Sequence, residues 1–241
     1  MHAHVGPHPE AGIGFEQHPG RAVPLDAAFI DASGTQVTLG EALGGKPSVL
    51  VLGYAACKDL CATTLPGVAE ALDRARLEAG ADYRAVFASI DAREGPPVLA
   101  AIAGRVPQRD RTGWRFLGGN DASIRRVADA VGFRYRHEDD RDAFAHPAGL
   151  VVLTPHGDVS RYLFGVRFAP SELRLALTEA GGGRIGGLSD RLLLLCYHFD
   201  PATGRHSLAI LDALRALIAV LAVLAAAFAW RTLRVRKERA A

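Results

Sequence analysis

Positions 48 to 54, Ser-Val-Leu-Val-Leu-Gly-Tyr, are apolar without alternation, the pattern of a strand buried on both faces at the centre of a sheet. Upstream, the stretch from Ala27 to Thr38 predicts a short hairpin turning at Ser33 and Gly34, followed by a turn. Downstream, Leu65, Val68, Leu72 and Leu77 fall at helical intervals, so a helix is expected from near Cys61 to about Gly80. Asp82 to Asp91 reads as a second strand, and Pro96 and Pro97 open a helix through Ala103. A helix capped by Asp121 and stopped at Gly132 follows, then a hairpin turning at His156 and Gly157. A last soluble helix spans about Pro170 to Ala180. Strand, helix, strand and helix, then a hairpin and a helix, make an α/β pattern with a parallel pair joined by a crossover and an antiparallel pair at the end.

The flanks differ from this middle. Residues 1–21 are rich in Gly, Pro and His without periodicity and read as a flexible arm; the core domain is placed at 22–180, and a glycine-rich linker with a juxtamembrane segment at 181–207. Residues 208–230 are apolar except for Asp212 and Arg215, end on Trp230 and are followed by the basic tail 231–241. About 20 apolar residues span a bilayer, Trp favours its interface, and Arg-rich flanks stay in the cytoplasm. A C-terminal transmembrane helix is therefore expected, against the alternative of a buried or amphipathic helix. The tail would be cytoplasmic and the domain outside, in a bacterium a single-pass inner-membrane protein facing the periplasm. Met1 leads straight into "HAHVGPHPEAG", which has neither the positive start nor the apolar core of an export signal. A leader removed, a start placed too far downstream, or an inverted topology would each account for that.

With 49% hydrophobic and 22% charged residues the chain suits a buried core, and a formal net charge of +2, with the basic excess in the tail, gives no sign of nucleic-acid binding. Three cysteines are too few for a disulfide scaffold, but Cys57 and Cys61 stand four apart in "GYAACKDLCATTLPG", where the central strand runs into its helix. This is the junction at which a thioredoxin-like fold, a central mixed sheet flanked by helices, carries its reactive cysteines. A thiolate there faces the positive end of the helix dipole; Asp59 opposes that effect and Lys58 partly offsets Asp59. Three intervening residues bring both sulfurs to one face, where they suit a disulfide or a soft metal such as Cu(I) or zinc. Two cysteines leave a metal short of ligands, and His146, directly before a strand expected beside the central one, is the candidate third.

Weaker candidates have ordinary alternatives. Cys196 and His198 suit a second metal site or simple packing beside the membrane. His2, His4 and His8 suit loose copper binding or an inert arm, and Asp91 and Glu94 suit either tuning of the site or a solvated loop. A peroxidase is disfavoured because the Pro-x3-Thr-x2-Cys environment of a peroxiredoxin is absent before Cys57. A tethered interaction module with structural cysteines is the non-catalytic alternative.

Residues 22–180 resemble the Sco/SenC family of copper-binding, thioredoxin-like assembly factors for cytochrome c oxidase. The likeness rests on "GYAACKDLCATTL", on "FASIDAREG" and on a His before "GLVVLTPHG". It implies that Cys57, Cys61 and His146 bind copper, for delivery to the copper-site subunit of the oxidase or to another copper carrier, or that the pair, as a possible Cys57–Cys61 disulfide, acts as a thiol–disulfide oxidoreductase that keeps partner thiols reduced. Lys58 and Ala62 stand where the family often has Pro, and "CYHFDPATG" with a C-terminal anchor is similar to a bacterial branch of the family.

Overall fold

The computed structural model describes residues 12–55 and 60–185 together with 199–200 and 205–206; of 60–63, 108–110, 199–200 and 205–206 it describes the backbone alone. It forms two compact units, Met1–Gly187 and Leu188–Ala241. In the first, strands β1 (Gly14–Phe15), β2 (Ala28–Asp31) and β3 (Gln36–Thr38) precede helix α1 (Leu39–Leu43). Then come β4 (Ser48–Gly53), α2 (Leu60–Arg74), β5 (Arg84–Ser89), α3 (Pro96–Ala103), β6 (Trp114–Gly119) and α4 (Asp121–Ala130). Short strands β7 (Phe133–Arg134), β8 (Arg136–Glu138) and β9 (Ala143–Ala145) lead to β10 (Gly149–Leu153), β11 (Val159–Phe164) and α5 (Pro170–Gly181). In the second unit Phe199 and Asp200 pair antiparallel with His206 and Arg205.

Seven strands make the main sheet, in the order β11-β10-β4-β5-β6-β2-β3. β4, β5 and β6 run parallel, and β10 lies antiparallel against β4 with Val151 opposite Leu50. The α/β, thioredoxin-like arrangement is the expected one, and the unbroken apolar run of β4 has its expected cause. Successive side chains alternate between faces, so Val49 and Val51 enter the core under α2, α3 and α5, while Leu50 and Leu52 enter the opposite core with Leu39, Ile124, Val127 and Phe133.

Several local expectations are corrected. The parallel set has three strands rather than a pair, because "WRFLGG" at 114–119 inserts as β6 between β5 and β2; six residues beside a charged loop carry too little periodicity to show this. The turn expected after β3 contains α1, closed by a capping box of Thr38 and Glu41 and by left-handed Gly44. α2 ends at Arg74 instead of near Gly80, since Arg76 adopts φ 57°, and the cap of α4 is Asn120, whose side chain accepts from the Ser123 N–H. The arm read at 1–21 is paired at its inner end: Gly14 and Phe15 lie against Arg134 and Phe133, and the Phe15 ring meets Phe133 and Tyr162 edge-on. Among the described residues no helix is long and apolar enough to cross a membrane; the expected span 208–230 lies outside them.

Candidate functional site

β4 delivers the chain to Tyr54 and Ala55, and α2 begins at Leu60. Cys57 falls between them, outside the described residues, and Cys61 is the second residue of α2. The helix that follows β4 thus starts beside Cys61, as expected. Unsatisfied N–H groups of a first helical turn favour an anion, so a thiolate entering this junction gains electrostatic support.

His146 reaches the same edge of the sheet from the opposite direction, through the loop that enters β10. It is buried, and its Nδ1–H donates to the Pro147 carbonyl oxygen 3.0 Å away. A carbonyl only accepts, so this bond fixes the proton on Nδ1 and places the ring's lone pair on Nε2. Burial pushes the imidazole pKa down, which favours the neutral ring, the form in which an imidazole ligates a metal. Tyr54 meets the ring edge-on, with centroids 5.8 Å apart, and Phe133 lies 6.0 Å away on another side.

His146 also lines a narrow crevice with Thr64 and Leu65 of α2, Val51 and Leu52 of β4 and Phe87 of β5. Helical positions 61, 64 and 65 share one face. The described residues on both sides of the cysteine pair, Tyr54 before it and Thr64 and Leu65 after it, thus touch His146 or share its crevice. Of the expected Cys57, Cys61 and His146 set only the His146 side chain is described, and among the described residues no three His, Cys, Asp or Glu side chains gather as a metal site. Cys196, His198, His2, His4 and His8 lie outside the described residues.

The two carboxylates beside the site are not solvated loop groups. Glu94 is buried: its Oε1 accepts the Ala55 N–H at 2.6 Å and its Oε2 accepts the Ser89 hydroxyl at 2.7 Å. Burial pushes its carboxyl up from the usual range. Asp91, also buried, is gripped by Arg93 through Nε at 2.8 Å and Nη2 at 2.7 Å, which holds its carboxyl below the usual range; Arg93 reaches on to Asp142 at 2.8 Å. Arg105, just past α3, donates to the Ala55 carbonyl at 3.2 Å. The sequence carries no signal for Arg105, which stands fifty positions from its partner; Ser89 and Glu94 lie in the "FASIDAREG" stretch that follows the second strand, but nothing there shows that they bond to each other or to Ala55.

A family model described as SCO1/SenC matches residues 20–177. No curated protein matches the chain. Among solved structures, a protein of Aquifex aeolicus VF5 superposes with a TM-score of 0.62 at 23% identity over 68% of this chain and 95% of that one. ScoI of Bradyrhizobium japonicum, solved with copper bound, gives 0.52 at 23% identity over 68% of this chain and 98% of its own. BsSco, a member of the Sco family of cytochrome c oxidase assembly proteins with an identified disulfide switch, gives 0.54 at 21% identity over 68% and 96%. At these identities the likeness is one of fold.

Proposed function

The chain belongs to the SCO1/SenC family, and on that premise we propose that it is a copper carrier for the assembly of cytochrome c oxidase, holding its cargo on Cys57, Cys61 and His146. The observation that carries this reading is the state of His146: a buried, neutral imidazole whose lone pair is fixed on Nε2, in a crevice shared with the helix that bears Cys61. Thiolates are soft donors that select Cu(I), and an imidazole beside them completes a three-ligand set. Three ligands leave one side open. Ligands of an oxidase copper-site subunit, or of another carrier, enter there, and copper moves by exchange of donors without any other bond being made or broken.

Residues 208–230 would tether this domain to a bacterial inner membrane as a single span, with the domain in the periplasm and residues 231–241 in the cytoplasm. The apolar run, the interfacial Trp230 and the basic tail support that topology. A second reading, a thiol–disulfide oxidoreductase that keeps partner cysteines reduced, is supported by the disulfide switch identified in BsSco and by the position of the pair at a helix start.

Competition of the full chain against a Cu(I) chelator separates the readings. One copper per chain is expected. Cys57→Ala, Cys61→Ala and His146→Ala should each weaken binding beyond the roughly 10–100-fold that a lost outer partner costs. Equal affinity in the histidine variant, with a mixed disulfide to a partner thiol trapped in Cys61→Ser, would favour the oxidoreductase.

A further inference from the structure

We infer that Glu94 is a positioning residue of the cysteine loop, holding the peptide from which the chain leaves β4 towards Cys57; this deepens the copper-carrier reading and rests on it. Ala55 is two residues before Cys57, and both of its backbone polar groups are taken by side chains from one neighbouring segment. Its N–H goes to Glu94 at 2.6 Å and its carbonyl to Arg105 at 3.2 Å. Glu94 is itself held. Its second oxygen takes the Ser89 hydroxyl, its N–H donates to Asp91, and its carbonyl packs so closely over Gly118 of β6 that a methyl group there would come within 2.5 Å of it. Gly95 and the two prolines that open α3 follow at once.

Burying a carboxyl group costs free energy that an apolar side chain of the same shape would not incur. What this one supplies is a fixed anchor between the end of β5 and the mouth of the loop. The position of the first cysteine relative to the second matters for either use of the pair, because a disulfide requires Cβ atoms about 3.5–4.5 Å apart and a metal site tolerates only a few tenths of an ångström of error. Glutamine would keep the arrangement: its amide oxygen accepts from Ala55 and its amide N–H donates to Ser89, whose hydroxyl then turns to the Asp91 carbonyl 3.2 Å away. Alanine would release Ala55.

The test uses the full chain with two readouts. The first is equilibration with glutathione, in which the two thiols pass two electrons and two protons to glutathione disulfide, giving the Cys57–Cys61 disulfide and two glutathione molecules. The second is Cu(I) affinity. Glu94→Ala is expected to shift the thiol–disulfide equilibrium constant about tenfold or more, about 30 mV, and to weaken copper binding by a similar factor, whereas Glu94→Gln stays within about twofold of the parent for a bond geometry that is kept. Wild-type values in Glu94→Ala overturn the assignment, and so does a Glu94→Gln variant as impaired as the alanine one. Should Glu94→Ala not fold, Arg105→Ala frees the carbonyl side alone: a shift of about threefold or more supports the clamp, and parental values overturn it. A parent that binds no copper but whose equilibrium constant still shifts in Glu94→Ala would sink the carrier reading and leave the clamp standing.

Discussion

His146 stands next to a proline in the sequence and on a proline carbonyl in the structure, and the second fact decides its chemistry. Its place before a strand beside the central one was legible from the apolar pattern; its tautomer was not, because that depends on one hydrogen bond to Pro147. The same limit applies to Asp91 and Glu94, whose burial comes from the tight passage between β5 and α3 rather than from their neighbours in sequence. These two acids should respond to pH with opposite signs. Asp91, held low by Arg93, contributes stability that is present above the unfolded carboxylate value of about 3.9 and is lost as pH falls through its folded value. Glu94 is raised, so stability declines as pH rises from the ordinary glutamate range through its folded value. Glu94→Gln is therefore expected to raise the thermal midpoint at pH 7 and to leave it unchanged near pH 4, while Asp91→Asn destabilises at pH 7 and converges with the parent in acid. Midpoints whose offsets do not vary with pH would contradict both assignments.

At the scale of elements, legibility follows length and burial. β4, β5 and the β10–β11 hairpin show in the sequence because long apolar runs are needed to fill two cores, while α1, β6 and the β8–β9 hairpin are too short, or too mixed in character, to impose a period. α2 shows its start and its buried face but not its end, which a single left-handed residue decides. The placement of α2, which carries Cys61, depends on a close approach that no periodicity reveals: a Cβ on Gly67 would lie 2.4 Å from the Val166 carbonyl oxygen in the segment before α5. Gly67→Ala must push α2 away from that backbone and is expected to cost about 1–3 kcal/mol, read from urea unfolding of the full chain. An unchanged midpoint would mean that α2 is not seated against Val166. Gly132, at φ +61° and with the Glu16 carbonyl 1.7 Å from a would-be Cβ, ties the segment around Phe15 to the domain in the same way.

For the whole molecule, the α/β fold was readable from the apolar pattern, and the SCO1/SenC model matches residues 20–177. That the loop carrying His146 enters a strand beside β4 was readable too, since β10 was expected there and pairs with it. The clamp on Ala55 was not, because it joins positions that are distant in sequence and have no shared pattern. The proposed tether belongs to this scale as well. Membranes carrying the full chain are expected to retain it through alkaline carbonate washing, and a chain ended at Gly187 is expected to be released; retention of the shortened chain would refute an anchor at 208–230. The most direct test of the central claim is X-ray absorption at the copper edge of the Cu(I)-loaded full chain, read as the number of sulfur and nitrogen donors. Two sulfurs and one imidazole nitrogen are expected, with the nitrogen contribution absent in His146→Ala; a two-sulfur spectrum identical in the parent and that variant would contradict it.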